Sequence, residues 1–361
     1  MDKKLAKAAA TAAAAGDLES VQQAVQTDAE IAAHWQVLMN ACYEGQVEIV
    51  DYLIGQGADV NIQAPNVHRY RPLHRVVEFK KSFAKNAGHD ATLDLLLQAG
   101  ADPMLAGSYY LVSAVALAAF GSPQYVAALL KKAPRQLDIY TAAALGRAKR
   151  VAQILSLDPE AASRPDPASR DGAMLPLQYC ARALVSNEKD HLATAAVLLE
   201  HGAEPASALD QSCWSGNVTV ARLLLEKGGR LGDDDTVNHL ACDGQFDILR
   251  LLQEYDAIDF NGTRGTDHHG GYNPLGCAVS MRSFQGVEWF LDQGCDPNKI
   301  KSKNGETALH VAVHFGSGVP LLQLLVERGA QADQKTKDGH TALDMARAKK
   351  KAKLVDYLAG L

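Results

Sequence analysis

At 361 residues the chain exceeds the roughly 250–300 residues at which a single hydrophobic core stops growing, so it holds several domains or an architecture that lengthens by repetition. Apolar residues at 47% against 22% charged exclude a largely disordered chain, and a net charge of −6 argues against nucleic-acid backbones or anionic membranes as the default partner. Aromatics make up only 6% while alanine is abundant, a composition that suits close-packed helices, an all-α fold, better than β-sandwiches.

The opening stretch, Met1–Gly16, is alanine with a single interior leucine, too weakly apolar for a secretory h-region. No window approaches the ~18 apolar residues of a membrane span. Six cysteines (Cys42, Cys180, Cys213, Cys242, Cys277, Cys295) lie scattered without a C-x-x-C pair. They read as small buried thiols of a cytoplasmic protein, not as a disulfide framework or a zinc knuckle.

Further along, one pattern recurs. An apolar doublet closes a helix at Leu53-Ile54, Leu96-Leu97, Leu129-Leu130, Ile154-Leu155, Leu198-Leu199, Leu224-Leu225, Leu251-Leu252, Phe290-Leu291 and Leu324-Leu325. From Leu53 to Leu324 the step averages about 34 residues, the period of a helix–turn–helix repeat. Gly57-Ala58-Asp59-Val60-Asn61, Gly100-Ala101-Asp102-Pro103, Gly202-Ala203-Glu204-Pro205 and Gly294-Cys295-Asp296-Pro297-Asn298 each follow a doublet by the same short interval. Upstream come helix starts: Arg71-Pro72-Leu73-His74, Pro176-Leu177, Asn273-Pro274-Leu275, Thr307-Ala308-Leu309-His310 and Thr341-Ala342-Leu343. A hydroxyl at the cap accepts from an orphan helix N–H, and proline at the first turn gives up a donor that had no partner. Central glycines (Gly45, Gly121, Gly146, Gly216, Gly244, Gly316) are predicted to turn the chain from the first helix into the second.

These motifs resemble those of ankyrin-repeat proteins over nearly the whole chain, with Asn304–Gly316 close to the family consensus. The resemblance implies an all-α solenoid of about eleven stacked helix-turn-helix units with a few β-hairpin fingers, the first (Ala8 to about Ala32) and last (Gly339–Leu361) being caps. A unit beginning without a finger at Asp138 suggests two stacks, 1–136 and 137–361. Insertions are expected at Phe79–Asn86, Leu184–His191 and Asn261–Tyr272. The proline-rich Ala162–Gly172 reads as a loop and candidate hinge.

Catalytic constellations are weak. His74 and His310 read as structural histidines that bond neighbouring backbone, as the family resemblance implies. Asp267, His268 and His269 form the best metal-like group, but adjacent residues lack a spaced third ligand, so neither a metal nor any other cofactor is expected. Cys42, Cys180 and Cys213 fall at small-residue positions facing the next repeat, the wrong place for a nucleophile. The basic segments Lys80–Lys85 and Lys349–Lys353 offer only a weak nucleic-acid reading; the second fits the polar outside of a cap.

The positive signal is a row. Just before each central glycine the units carry Tyr43-Glu44, Glu78-Phe79, Phe120, Leu145, Arg182, Trp214-Ser215, Asp243, Ser280-Met281 and His314-Phe315. Tyr, Trp, Phe, Met and Arg are the residues enriched in interface cores. Because ankyrin proteins bind partners through the concave groove and fingers, the resemblance implies a monomeric, non-enzymatic module that binds another protein or peptide through this row. The rival reading is an enzyme or metal-dependent protein that uses the Asp267–Tyr272 finger.

Overall fold

The computed structural model describes residues 2–78, 87–184, 188–232, 235–255, 258, 260, 272–300 and 304–361. Two compact units follow one another, Met1–Glu204 and Pro205–Leu361.

The first unit holds six helix pairs: α1 (Lys3–Ala15) with α2 (Leu18–Thr27), α3 (Trp35–Glu44) with α4 (Val47–Gly55), α5 (Pro72–Val77) with α6 (Ala87–Gln98), α7 (Ala114–Gly121) with α8 (Val126–Leu130), α9 (Ile139–Ala144) with α10 (Ala148–Leu157), and α11 (Pro176–Arg182) with α12 (Glu188–Glu200). First helices stack on first helices, α1 on α3 on α5 on α7 on α9 on α11. The second unit repeats the plan five times: α13 (Leu209–Trp214) with α14 (Val218–Glu226), α15 (Asp235–Cys242) with α16 (Phe246–Glu254), α17 (Pro274–Ser280) with α18 (Phe284–Asp292), α19 (Ala308–Phe315) with α20 (Val319–Glu327), and α21 (Ala342–Ala348) with α22 (Ala352–Ala359). Eleven pairs match the eleven units read from the repeat. One strand pair occurs among the described residues, β1 (Ala106–Gly107) antiparallel to β2 (Val112–Ser113). No helix among them is long and apolar enough to cross a membrane.

The periodic doublets are the spine of the core. Leu53, Leu96, Leu129, Leu155, Leu198, Leu224, Leu252, Phe290 and Leu325 are each fully buried, one per doublet. Opposite them the first helices present Ala41, Ala118, Ala142, Ala143, Ala181, Ala278 and Ala312, small enough for neighbouring helices to pack closely. An isolated pair could not cover both surfaces, so each depends on its neighbours.

Side chains stitch one repeat to the next. Asn61 Nδ2 donates to the Gly100 carbonyl at 3.2 Å while its Oδ1 accepts from Asp102 N–H at 2.8 Å. Asn298 makes the same pair of bonds with Gly329 and Gln331, both at 2.8 Å. His74 Nε2 donates to the Val112 carbonyl at 2.9 Å, and His310 Nε2 to that of His340 at 3.0 Å. The His310 tautomer follows from its other nitrogen, since Nδ1 accepts the Thr307 N–H at 3.1 Å. These two histidines are the structural elements that the family resemblance implied.

Two further histidines act alike and were not singled out in the sequence. His89 of α6 and His191 of α12 reach the carbonyls of Tyr43 and Ala144 at 3.0 and 3.1 Å. Each stands three residues before a fully buried threonine, Thr92 or Thr194, a His-x-x-Thr signal in the two units that carry insertions between their helices. His89 packs so closely on Gly45 that a Cβ there would lie 2.8 Å from its Nδ1, and Gly45 is also left-handed at φ 70°. Gly146, Gly216, Gly244 and Gly316 share the left-handed turn, but Gly121 does not. It ends α7 as a helical residue, and Ser122 and Pro123–Tyr125 make the connection instead.

The proline-rich segment 162–172 is pinned rather than loose. Asp166 N–H bonds Met174 O at 2.8 Å, and Arg170 donates to the carbonyls of Tyr109 and Val67, both at 2.6 Å. One arginine thereby joins three fingers of the first unit. The insert at Phe79–Asn86 and all of Asn261–Tyr272 except Tyr272 lie outside the described residues; of Leu184–His191, residues 185–187 lie outside them and 188–191 already belong to α12.

Candidate functional site

The residues just before the turn of each first helix behave differently in the two units. In the first, Tyr43 and Phe120 are half-buried and covered by arginines. The Arg75 guanidinium lies 3.8 Å from the centroid of Tyr43 and 4.9 Å from that of Tyr70, and pairs with Glu78 at 2.5 Å. The other Glu78 oxygen accepts the Tyr70 hydroxyl at 2.5 Å. Burial, and then this bond, raise the Tyr70 phenol pKa and keep it protonated. Arg182, the last residue of α11, lies 4.0 Å over Tyr110 and 5.8 Å from the Phe120 centroid, and donates to the Tyr110 hydroxyl. Arginine on aromatic faces is held in place while its charge persists.

Two cavities open among these side chains and share Tyr70. The larger, about 360 Å³, is walled by Glu78, Ser108, Tyr110, Phe120 and Arg182; the smaller, about 240 Å³, lies between Trp35, Met39, His68 and Arg75. Glu44 is half-buried at the end of α3 and lines neither. Phe79 lies outside the described residues.

In the second unit the same register is more exposed. Trp214 ends α13, Met281 follows α17 and Phe315 ends α19; they are 44%, 47% and 43% exposed. Asp243, following α15, and His314 are exposed as well. Phe315 meets the ring of Tyr272 at 6.5 Å, and Tyr272 donates to Glu306 at 2.9 Å, which in turn lies 3.7 Å from His314 Nδ1. Phe284, at the start of α18, is 45% exposed as well; its place after the turn, outside the row, kept it from the sequence reading. With packed helices about 8–10 Å apart, the row from α13 to α19 offers one large side chain per repeat with a gap at Asp243.

Arg75, Tyr70, Ser108 and Tyr110 are the first-unit residues that sequence reasoning missed. A Tyr109-Tyr110 pair at a finger tip of an aromatic-poor chain was the available signal.

The thiols are chemically quiet. Cys42, Cys180 and Cys213 are fully buried; burial raises all three, Cys180 to about 12, the opposite of an activated nucleophile. Among the described residues no group of three or more His, Cys, Asp or Glu could hold a metal; Asp267, His268 and His269 lie outside them.

A family model of ankyrin repeats matches in three copies, at residues 9–107, 209–301 and 282–360, and with the stacked helix pairs it settles the class. The chain belongs to the ankyrin-repeat family. It is 28% identical over 192 residues to alpha-latrotoxin-Lg1a of Latrodectus geometricus, covering 51% of this chain and 14% of that protein. It is 31% identical over 137 residues to the nuclear factor NF-kappa-B p105 subunit of Gallus gallus, covering 37% and 13%. With the ANK repeat-containing protein nipk-1 of Caenorhabditis elegans it shares 31% over 97 residues, covering 27% and 15%. The chain thus spans about a seventh of the length of these curated relatives. The solved ankyrin repeat domain of human ASB11 aligns over 62% of this chain and 96% of that domain, with TM-score 0.46 and 21% identity. Ankyrin repeats are generally protein–protein interaction modules, typically without catalysis of their own.

Proposed function

We propose that the chain is a non-enzymatic interaction module, or scaffold, that docks a partner polypeptide on the faces formed by the ends of its first helices and on the adjoining fingers. One observation carries this reading: Trp214, Met281 and Phe315 stand exposed at a shared register in a chain with few aromatics to spare. Solvating large apolar side chains is unfavourable, and repeated exposure at one register marks a surface that is covered in use. The helices beneath are fixed by buried doublets, so docking orders little backbone. Five buried thiols (Cys42, Cys180, Cys213, Cys277 and Cys295) favour a reducing compartment such as the cytoplasm.

The test is affinity capture with the full chain from lysate of the source organism. Trp214→Ala and Phe315→Ala are expected each to weaken capture by about 1 kcal/mol or more, roughly fivefold, with helicity intact. Leu157→Ala is the control, since Leu157 is 89% exposed at the end of α10, away from the row. Equal capture by all three variants would remove the row from the interface.

A further inference from the structure

The cavity of about 360 Å³ walled by Glu78 and Arg182 has features that a plain seam between repeats does not need. Ser108, at the start of the turn joining β1 to β2, is 1% exposed and lines the cavity, yet its hydroxyl has no hydrogen-bond partner among the described residues. Leaving a buried hydroxyl unsatisfied is costly. Ser108 is also held at φ 71°, and Leu111 at the other end of the turn at φ 56°, in the left-handed region that side chains disfavour. A serine is therefore kept where glycine would fit better, with its hydroxyl unsatisfied.

Across the cavity, Arg182 is held by Tyr110 and Phe120. The Tyr110 hydroxyl accepts from Arg182, which leaves it a proton to give. Among the described residues one carboxylate lines the wall, Glu78, and it already binds Arg75 and the Tyr70 hydroxyl, both at 2.5 Å. Among the described residues the space is also bordered by the Arg182 guanidinium, itself held by Tyr110, and by the Tyr110 and Ser108 hydroxyls, with aromatic rings beside them. Burial lowers the Arg182 pKa, which is the direction a desolvated cation takes.

We infer that this cavity is a carboxylate-binding subsite, in which Arg182, the Tyr110 hydroxyl and the Ser108 hydroxyl hold one carboxylate of the docked polypeptide, a Glu or Asp side chain or a free C-terminus. The inference rests on the reading that the chain docks a polypeptide, and narrows it to a segment that brings one negative charge to the first unit. A planar guanidinium beside hydroxyl donors matches the two oxygens of a carboxylate, and the ring walls accept the carbon atoms that carry it.

The subsite is tested on the full chain with small probes, independently of any partner. In ligand-observed NMR, 3-phenylpropionate is expected to bind and its amide, 3-phenylpropionamide, to bind at least tenfold more weakly. Arg182→Gln should abolish the difference. Ser108→Gly is the second variant: it relieves the left-handed strain, so the protein should be no less stable, yet 3-phenylpropionate should bind severalfold more weakly. Two tripeptides separate the sources. N-acetyl-Ala-Glu-Phe-amide competing against the probe assigns a side chain, and N-acetyl-Ala-Gln-Phe with a free terminus assigns a chain end. Equal binding of acid and amide, binding indifferent to both substitutions, or competition by neither peptide would overturn the subsite. Any of these with Trp214-dependent capture intact would sink the subsite alone; capture indifferent to Trp214 and Phe315 alongside a preference for the acid would sink the row alone.

Discussion

At one register of the repeat the two units have made opposite choices. The first unit fills it with Tyr43, Phe120 and Arg182, half-buried and interlocked with Arg75, Tyr70 and Tyr110. The second leaves Trp214, Met281 and Phe315 more than two-fifths exposed. The cause lies partly one layer down. Tyr179 of α11 is 1% exposed and lies 5.7 Å from Phe120 and 5.6 Å from Tyr140, with its hydroxyl on Asp166 at 2.6 Å. At the matching helix position α17 and α19 carry Cys277 and Val311. A large ring beneath the surface helps prop the first-unit side chains together. Where it is absent, the second-unit side chains lie more open to solvent. The repeat fixes where a side chain emerges; the residues beneath decide whether it is structure or surface.

The largest expected effect separates these roles. Tyr179→Ala should cost about 3–5 kcal/mol of stability in urea unfolding, as truncation of a buried aromatic does. Trp214→Ala should change stability by no more than ~0.5 kcal/mol, as for surface substitutions. Comparable losses from both would erase the distinction between the units.

A second difference is readable by pH. Burial holds the His74 pKa at about 4, against an ordinary 6.5, with its bond to the Val112 carbonyl opposing the shift. The folded chain therefore binds this proton less readily than the unfolded chain. Its contribution is whole above pH 6.5 and is lost as the pH falls towards 4, amounting to roughly 3 kcal/mol over that window. Burial also lowers the His310 pKa, so the second unit shares the sign of the effect. Unfolding free energies measured between pH 7 and 4 should show the decline, and His74→Gln should flatten much of it. A flat profile in the unsubstituted chain would mean that the imidazole is solvated.

The sequence made the scaffold legible because its causes are local and periodic. Leu198-Leu199 followed by Gly202, or Thr307 ahead of Leu309-His310, announces a helix end or start from a few adjacent residues, and repetition removes the ambiguity of any single instance. Trp214, Met281 and Phe315 were legible for the same reason, being placed by register. The first-unit cluster was not. Arg75 lies on Tyr43 and Arg182 on Tyr110, and nothing in the spacing from 75 to 182 says that two guanidinium groups will land on rings from other repeats. Ser108 was invisible because its significance is a dihedral angle and a missing hydrogen bond. Gly121 was misread because its unit turns through Ser122 and Pro123 in place of a left-handed glycine.

The smallest effect isolates how the hairpin seats on the first unit. Gly107 is not left-handed, yet a Cβ there would lie 2.7 Å from Cε1 of His74, so its glycine is required by contact. Gly339, beside the His340 carbonyl that receives His310 in the second unit, is the converse: φ is 84° and a Cβ would meet nothing within 4 Å. Gly107→Ala should cost about 1–3 kcal/mol, as overpacking does, and Gly339→Ala about 1 kcal/mol, for its dihedral alone. Their pH profiles should differ more than their magnitudes. Lifting the hairpin off His74 admits water to the ring and shrinks the decline between pH 6.5 and 4, whereas Gly339→Ala lowers stability by the same amount at every pH in that window. If both substitutions merely shift the profile downward, the hairpin is not what keeps His74 dry, and the burial of that imidazole must come from α5 and its neighbouring helices.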